Sequence, residues 1–138
     1  YDSEEVLLKG IMMDFLHVFL LNLSRFLIGF YFVFFGFWNI YHWKPMTEVM
    51  LKKKIPSPLL ILSIAIGWQV VCGFMIISGF LVSLAALLLI PFVFFIVFIL
   101  HPFWDFQGEL RKQHMALFIT NFTMTLGSLI LLLSHYYF

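Results

Sequence analysis

Four long apolar runs decide what this chain can become. The clearest covers residues 80–100, FLVSLAALLLIPFVFFIVFIL, about twenty residues without a charge. A helix of that length rises about 30 Å, the thickness of the hydrocarbon core of a bilayer. Three further runs lie at about 19–41, 59–77 and 115–133. Backbone in lipid must bond to itself, so runs of this length fold as spanning helices. The expected fold is all-α: a transmembrane four-helix bundle forming one membrane domain over residues 1–138.

Composition agrees. Of the 138 residues, 63% are hydrophobic and 11% charged, too few charges to keep a soluble domain of this size dispersed. The lipid membrane is therefore the expected partner. A net charge of +1 and one short basic run exclude nucleic acid. Cys72 is the single cysteine, so the chain has no internal disulfide and no CxxC motif. Its expected place is a small apolar contact between helices.

Residues 6–18 repeat Leu7, Leu8, Ile11, Met12, Phe15 and Leu16 at helical spacing, with Lys9, Asp14 and His17 between them. Segment 1–18 reads as an amphipathic helix that lies in the interface or begins the first span. In the first span Arg25, Gly29, Gly36 and Asn39 fall within about 80° of one another. Glycines allow close helix approach, and a charge inside a span faces the bundle interior unless it sits near a helix end and snorkels. The interior reading puts Arg25 near Gln69 or Asn121. Loop one, residues 42–58, holds Lys44, Lys52, Lys53 and Lys54 between prolines, with a short surface helix over 46–54. Ser78-Gly79 makes so short a turn that spans two and three form an antiparallel hairpin. Gln69 and Gly73 share one face of span two. Span three has Ser83 as its only polar residue and Pro91 within it, and reads as a lipid-facing or structural helix. In the third loop, helix over 103–113 would put Asp105, Glu109 and Lys112 on one face. Span four carries Asn121, Thr125 and Ser128 as a polar stripe, and Tyr136 and Tyr137 suit an interfacial belt.

The stretch 101–133, HPFWDFQGELRKQHMALFITNFTMTLGSLILLL, resembles the DoxX family of small four-helix membrane proteins. That family shows a histidine and an aromatic–Trp pair after span three, then a Lys-Asn pair and a glycine early in span four. His101, Phe103, Trp104, Asn121 and Gly127 stand in those places. In span one, RFLIGFYFVFFG is similar to the family's R…G…F…G pattern through Arg25, Gly29 and Gly36. In span two Gln69 and Gly73 take the place of an acid followed by glycine. The resemblance covers about residues 20–133. Asn39, Gln69 and Thr120 are neutral where the family pattern is ionisable.

The resemblance implies a non-catalytic accessory or scaffold subunit of a membrane redox or respiratory complex, packed against other membrane subunits. The implied location is a bacterial inner membrane, with the mitochondrial inner membrane as the alternative. Family relatives include a subunit of a thiosulfate:quinone oxidoreductase, so a quinone-binding redox subunit is the second reading, and a carrier of a lipid or small molecule the third. The candidate polar centre is Arg25, Asn39, Gln69, His101 and Asn121, and Phe103 and Trp104 are the candidate partner contacts. Quinone is the one cofactor that the resemblance implies. His101, Asp105, Glu109 and His114 follow no established metal-ligand spacing. No pair of histidines lies within facing spans to hold haem.

Loops one and three hold Lys44, Lys52, Lys53, Lys54, Arg111 and Lys112, while the opposite side holds Lys9 and Arg25. The positive-inside rule then puts both loops in the cytoplasm and both termini outside. Single cysteines at Ser57 and Gln107, in a chain without Cys72, should label from the same side of the membrane. Labelling from opposite sides would remove the four-span arrangement.

Overall fold

A computed structural model describes residues 2–137 of the backbone; the side chain of Tyr137, expected in an interfacial belt, lies outside the described residues. The chain is an all-α bundle in which four helical segments are long and apolar enough to cross a membrane. Helix α1 covers Ser3–Tyr41. The Asp2 side chain accepts the Glu4 N–H at 3.1 Å, and Glu4 and Glu5 oppose the positive end of the helix dipole. No proline interrupts it, so residues 3–18 are a direct extension of the first span, and its 39 residues reach about 58 Å. His42 ends it, and α2, Trp43–Lys52, follows as a short surface helix with Met50 buried.

Helix α3 is Pro58–Ser78, with proline in its first turn, where the missing N–H costs nothing. Gly79 closes it at φ 81°, a left-handed value that suits glycine. The Gly79 N–H donates to Ile76 O and the Phe80 N–H to Met75 O, the pair of bonds of a Schellman cap. Helix α4, Val82–Leu100, carries Pro91 without ending. A 3-10 turn at Phe103–Asp105 leads to α5, Gly108–Thr120. Five π-helical residues, Asn121–Thr125, join α5 to α6, Leu126–Tyr137, so the fourth span is one continuous helix. Asp105 therefore lies outside the helix that carries Glu109 and Lys112, and the latter two form an exposed pair at 3.5 Å.

Two packing contacts set the bundle. Helices α1 and α3 cross backbone on backbone: a Cβ built on Gly29 would lie 2.7 Å from Gly73 O, and one on Gly73 would lie 3.0 Å from Gly29 O. The second contact centres on α4. Its Val82, Ala85, Ala86, Leu89 and Val93 join Phe32, Cys72, Ile76, Leu126, Leu129 and Leu132 in one buried cluster. Of the two readings of span three, lipid-facing or structural, this favours the structural one, because α4 is the helix with the most buried side chains among the described residues. Lipid tails are as apolar as its neighbours, so the absence of polar residues does not tell lipid from protein. The small Ala85 and Ala86 are what let other helices close on it.

Gly29→Val should lower stability in detergent by about 2 kcal/mol, the scale of overpacking a tight contact. Gly67→Ala, in the same crossing pair of helices but with nothing within 4 Å of the added methyl, should instead gain up to about 1 kcal/mol of helix propensity. Equal effects in thermal unfolding would show that the crossing is not a close contact.

Candidate functional site

At the loop end, α1, α2, α3, α4 and the fourth span enclose a cavity of about 420 Å³. Phe32, Phe35, Phe92, Val93 and Ile96 give it an apolar wall. Tyr31, Asn39, His42, Gln69, His101, Asn121 and Thr125 contribute its hydrogen-bonding groups. Pro45, Met46 and Val49 of the surface helix α2 cover the loop end. Among the described residues no Asp, Glu, Lys or Arg lines it. Four of the five residues of the expected polar centre, Asn39, Gln69, His101 and Asn121, therefore meet at one cavity.

The local fold explains why each side chain is there. Three residues beyond Gly36, Asn39 reaches across the close helix crossing, and its Nδ2 lies 3.5 Å from Gln69 Oε1. Gln69 is 6% exposed, the only polar side chain in the buried core among the described residues. Such a group must find its partner within the protein, because lipid supplies none. On the fourth span, Asn121 opens the π segment. Its Nδ2 donates to Leu117 O at 2.8 Å, and its Oδ1 accepts from Tyr31 Oη at 2.7 Å and Thr125 Oγ1 at 3.4 Å. Thr123 and Ser128 also bond back to carbonyls four residues earlier. Back-bonding of this kind loosens the regular ladder, and single π turns accompany functional sites. The wider turn aims both Asn121 and Thr125 at the cavity.

His101 follows the last turn of α4, where its N–H donates to Val97 O. Its Nδ1 lies 3.2 Å from Nδ1 of His114 on α5, so one ring carries the hydrogen and the other accepts it. Phe106 stacks on His114 with centroids 4.3 Å apart and planes 8° apart. The histidine pair thus links the cavity floor to the third loop. Beside it Lys53 donates to Phe98 O at 3.4 Å, tying loop one to α4. Burial holds the Lys53 ammonium below the usual lysine range, with Asp105 acting against that shift.

Arg25 is not part of this site. It lies at the other end of the bundle, where Nη1 donates to Tyr136 Oη at 3.1 Å and the guanidinium rests on Gly79. A helical wheel places Arg25 and Asn39 on neighbouring faces but ignores height. Fourteen residues separate them by about 21 Å along the axis. Phe103 and Trp104 pack around Phe118 together with Phe98, and Trp104 stays 49% exposed. Thr120 points outward, away from the cavity that its neighbour Asn121 enters. The sequence reading missed Tyr31 and His114. Both have partners 13 or more residues away, and no local spacing announces such contacts.

The family model described as DoxX matches residues 20–102. The chain belongs to the DoxX family. The match takes in the first three spanning helices and both histidine-capped loop ends, so Asn39, Gln69 and His101 of this DoxX protein fall inside it, while Trp104 and Asn121 lie beyond it. Searches of curated proteins and of solved structures find no match.

Tyr31→Phe removes the shortest hydrogen bond in the DoxX cavity. Bonds between spanning helices contribute about 0.6 kcal/mol on average, up to roughly 1.7. A double-mutant cycle of Tyr31→Phe with Asn121→Leu should return a coupling in that range. A coupling of zero would mean that Tyr31 and Asn121 do not pair in the membrane.

Proposed function

We propose that this DoxX protein is a non-catalytic accessory subunit of a membrane redox complex, and that its cavity holds the ring of a quinone-class lipid for that complex. The observation that carries this reading is the cavity itself. Its volume of about 420 Å³ lies in the range of small-molecule sites, about 300–1,000 Å³ with apolar walls and a few placed polar groups. A quinone ring presents two neutral carbonyl oxygens to a wall that can offer the Asn39 amide and an imidazole N–H. The neutral lining also argues against catalysis by this chain. Asn39 and Gln69 hydrogen-bond without changing charge, so they relay no proton. Proton-coupled steps then rest on the partner. The membrane is that of a bacterium or the mitochondrial inner membrane, with loops one and three on the cytoplasmic or matrix side.

Chain isolated in mild detergent should carry quinone with it. Gln69→Phe, which fills the cavity, should lose at least tenfold of that quinone while the protein stays folded; full retention would sink the cavity reading. In the isolated complex, His101→Gln should keep normal yield and lower quinone reduction by less than about tenfold, below roughly 1.4 kcal/mol of barrier. Trp104→Ala should do more harm, by loosening the third loop. A 100-fold loss of rate in His101→Gln at normal yield would make this chain a working part of the redox site.

A further inference from the structure

The end of the bundle away from the cavity carries a cation with one bond. Of the five N–H groups on the Arg25 guanidinium, a single one, on Nη1, has a hydrogen-bond partner among the described residues, the Tyr136 hydroxyl at 3.1 Å. Nε is buried and has no partner among them. No carboxylate of the described residues forms an ion pair with Arg25. A guanidinium in or near lipid is costly without an anion or strong acceptors.

The surroundings are shaped for an oxyanion with an apolar tail. Gly79, at the α3–α4 hairpin, leaves room for the guanidinium: a methyl there would stand 3.1 Å from Nη1, 3.3 Å from Cζ and 3.5 Å from Nη2. The fork therefore lies along the turn with its remaining donors beside the hairpin. Tyr136 accepts from Nη1, which leaves its own O–H to donate to the same anion. Phe26, Phe80 and Leu81 beside the site are 49%, 63% and 52% exposed, an apolar surround for acyl chains. A planar fork with adjacent donors matches two oxygens of one phosphate, which a point charge does not.

We infer that Arg25, Tyr136 and the Gly79 turn form a binding site for the phosphate of a phospholipid, in the leaflet on the side of the termini. The site is separate from the cavity. Gln69 and Gly79 are ten residues apart on the same helix line, about 15 Å.

The test uses the full chain in detergent with three added probes: phosphatidylglycerol, diacylglycerol and inorganic phosphate. Native mass spectrometry should show one phosphatidylglycerol retained through delipidation and no retained diacylglycerol. Millimolar inorganic phosphate should not displace the lipid. Arg25→Gln should lose retention at least tenfold. Tyr136→Phe and Arg25→Lys, which keep the ring or the charge and so preserve the packing, should each lose it about threefold or more. Gln69→Phe should retain lipid as the unaltered chain does, whatever happens to quinone. Equal retention in Tyr136→Phe and Arg25→Lys, equal retention of diacylglycerol, or displacement by inorganic phosphate would each overturn the assignment, the last by making this a site for free phosphate.

Discussion

The backbone crossing of α1 and α3 is the contact on which the rest of the molecule depends. In water, helices associate because apolar surface leaves solvent. In a bilayer that force is absent between helices, and packing must come from close approach. Gly29 and Gly73 remove two side chains from the crossing and let each backbone touch the other's carbonyl oxygen. The same approach fixes the height at which the two helices face one another beyond the crossing. Asn39 and Gln69 come opposite at that height, so the tight contact at one level produces a polar contact at the next. A wider crossing would separate them and leave a buried amide to find another partner.

The four-span plan was legible in the sequence because length and absence of charge are sufficient for it. The boundaries were less so. The fourth span was expected from residue 115, yet its helix begins at Gly108. Charged residues such as Arg111 and Lys112 end an apolar run without ending a helix, since helical hydrogen bonds are satisfied equally well outside the membrane. The first span shows the same effect at its other end: Lys9 and Asp14 break the apolar pattern of α1 while the helix continues through them. The role of α4, lipid-facing or structural, stayed open for a different reason. Hydropathy measures cost of transfer into lipid, and a side chain packed on Ala85 is no less apolar than one facing an acyl chain. Residue size carried the missing information, through two adjacent alanines in a run otherwise dominated by Leu, Ile and Phe.

The cavity was partly legible. Asn39, Gln69, His101 and Asn121 stand out because a polar group in an apolar run has few places to go. Tyr31 does not stand out: it sits among phenylalanines, and only its contact with Asn121, 90 positions away, distinguishes it from them. The π segment was hidden as well. Asn121, Thr125 and Ser128 look like an ordinary polar stripe at 100° per residue. Once their side chains bond to the preceding turn, the backbone widens and that angle no longer holds. Arg25 shows the limit of the wheel in another way. Sharing a face with Asn39 constrains rotation about the axis, whereas function at a common site requires shared height.

The distribution of charge follows from these heights. The interior level where the helices enclose space is neutral, built from amides, hydroxyls and imidazole. Arg25, the arginine of the first span, sits instead at the level of the α3–α4 hairpin, beside Gly79. A charge placed at the cavity instead would need a buried counter-charge, because desolvating a single ion exceeds what neutral dipoles return. Here the positions facing Asn39 and Gln69 offer none. Neutral residues at the centre are thus mutually required: with Gln69 in place of an acid, a cation at position 39 would be unpaired, and the reverse holds equally. A ligand entering the cavity therefore meets shape and hydrogen-bonding groups, with no Asp, Glu, Lys or Arg side chain among the described residues of its wall.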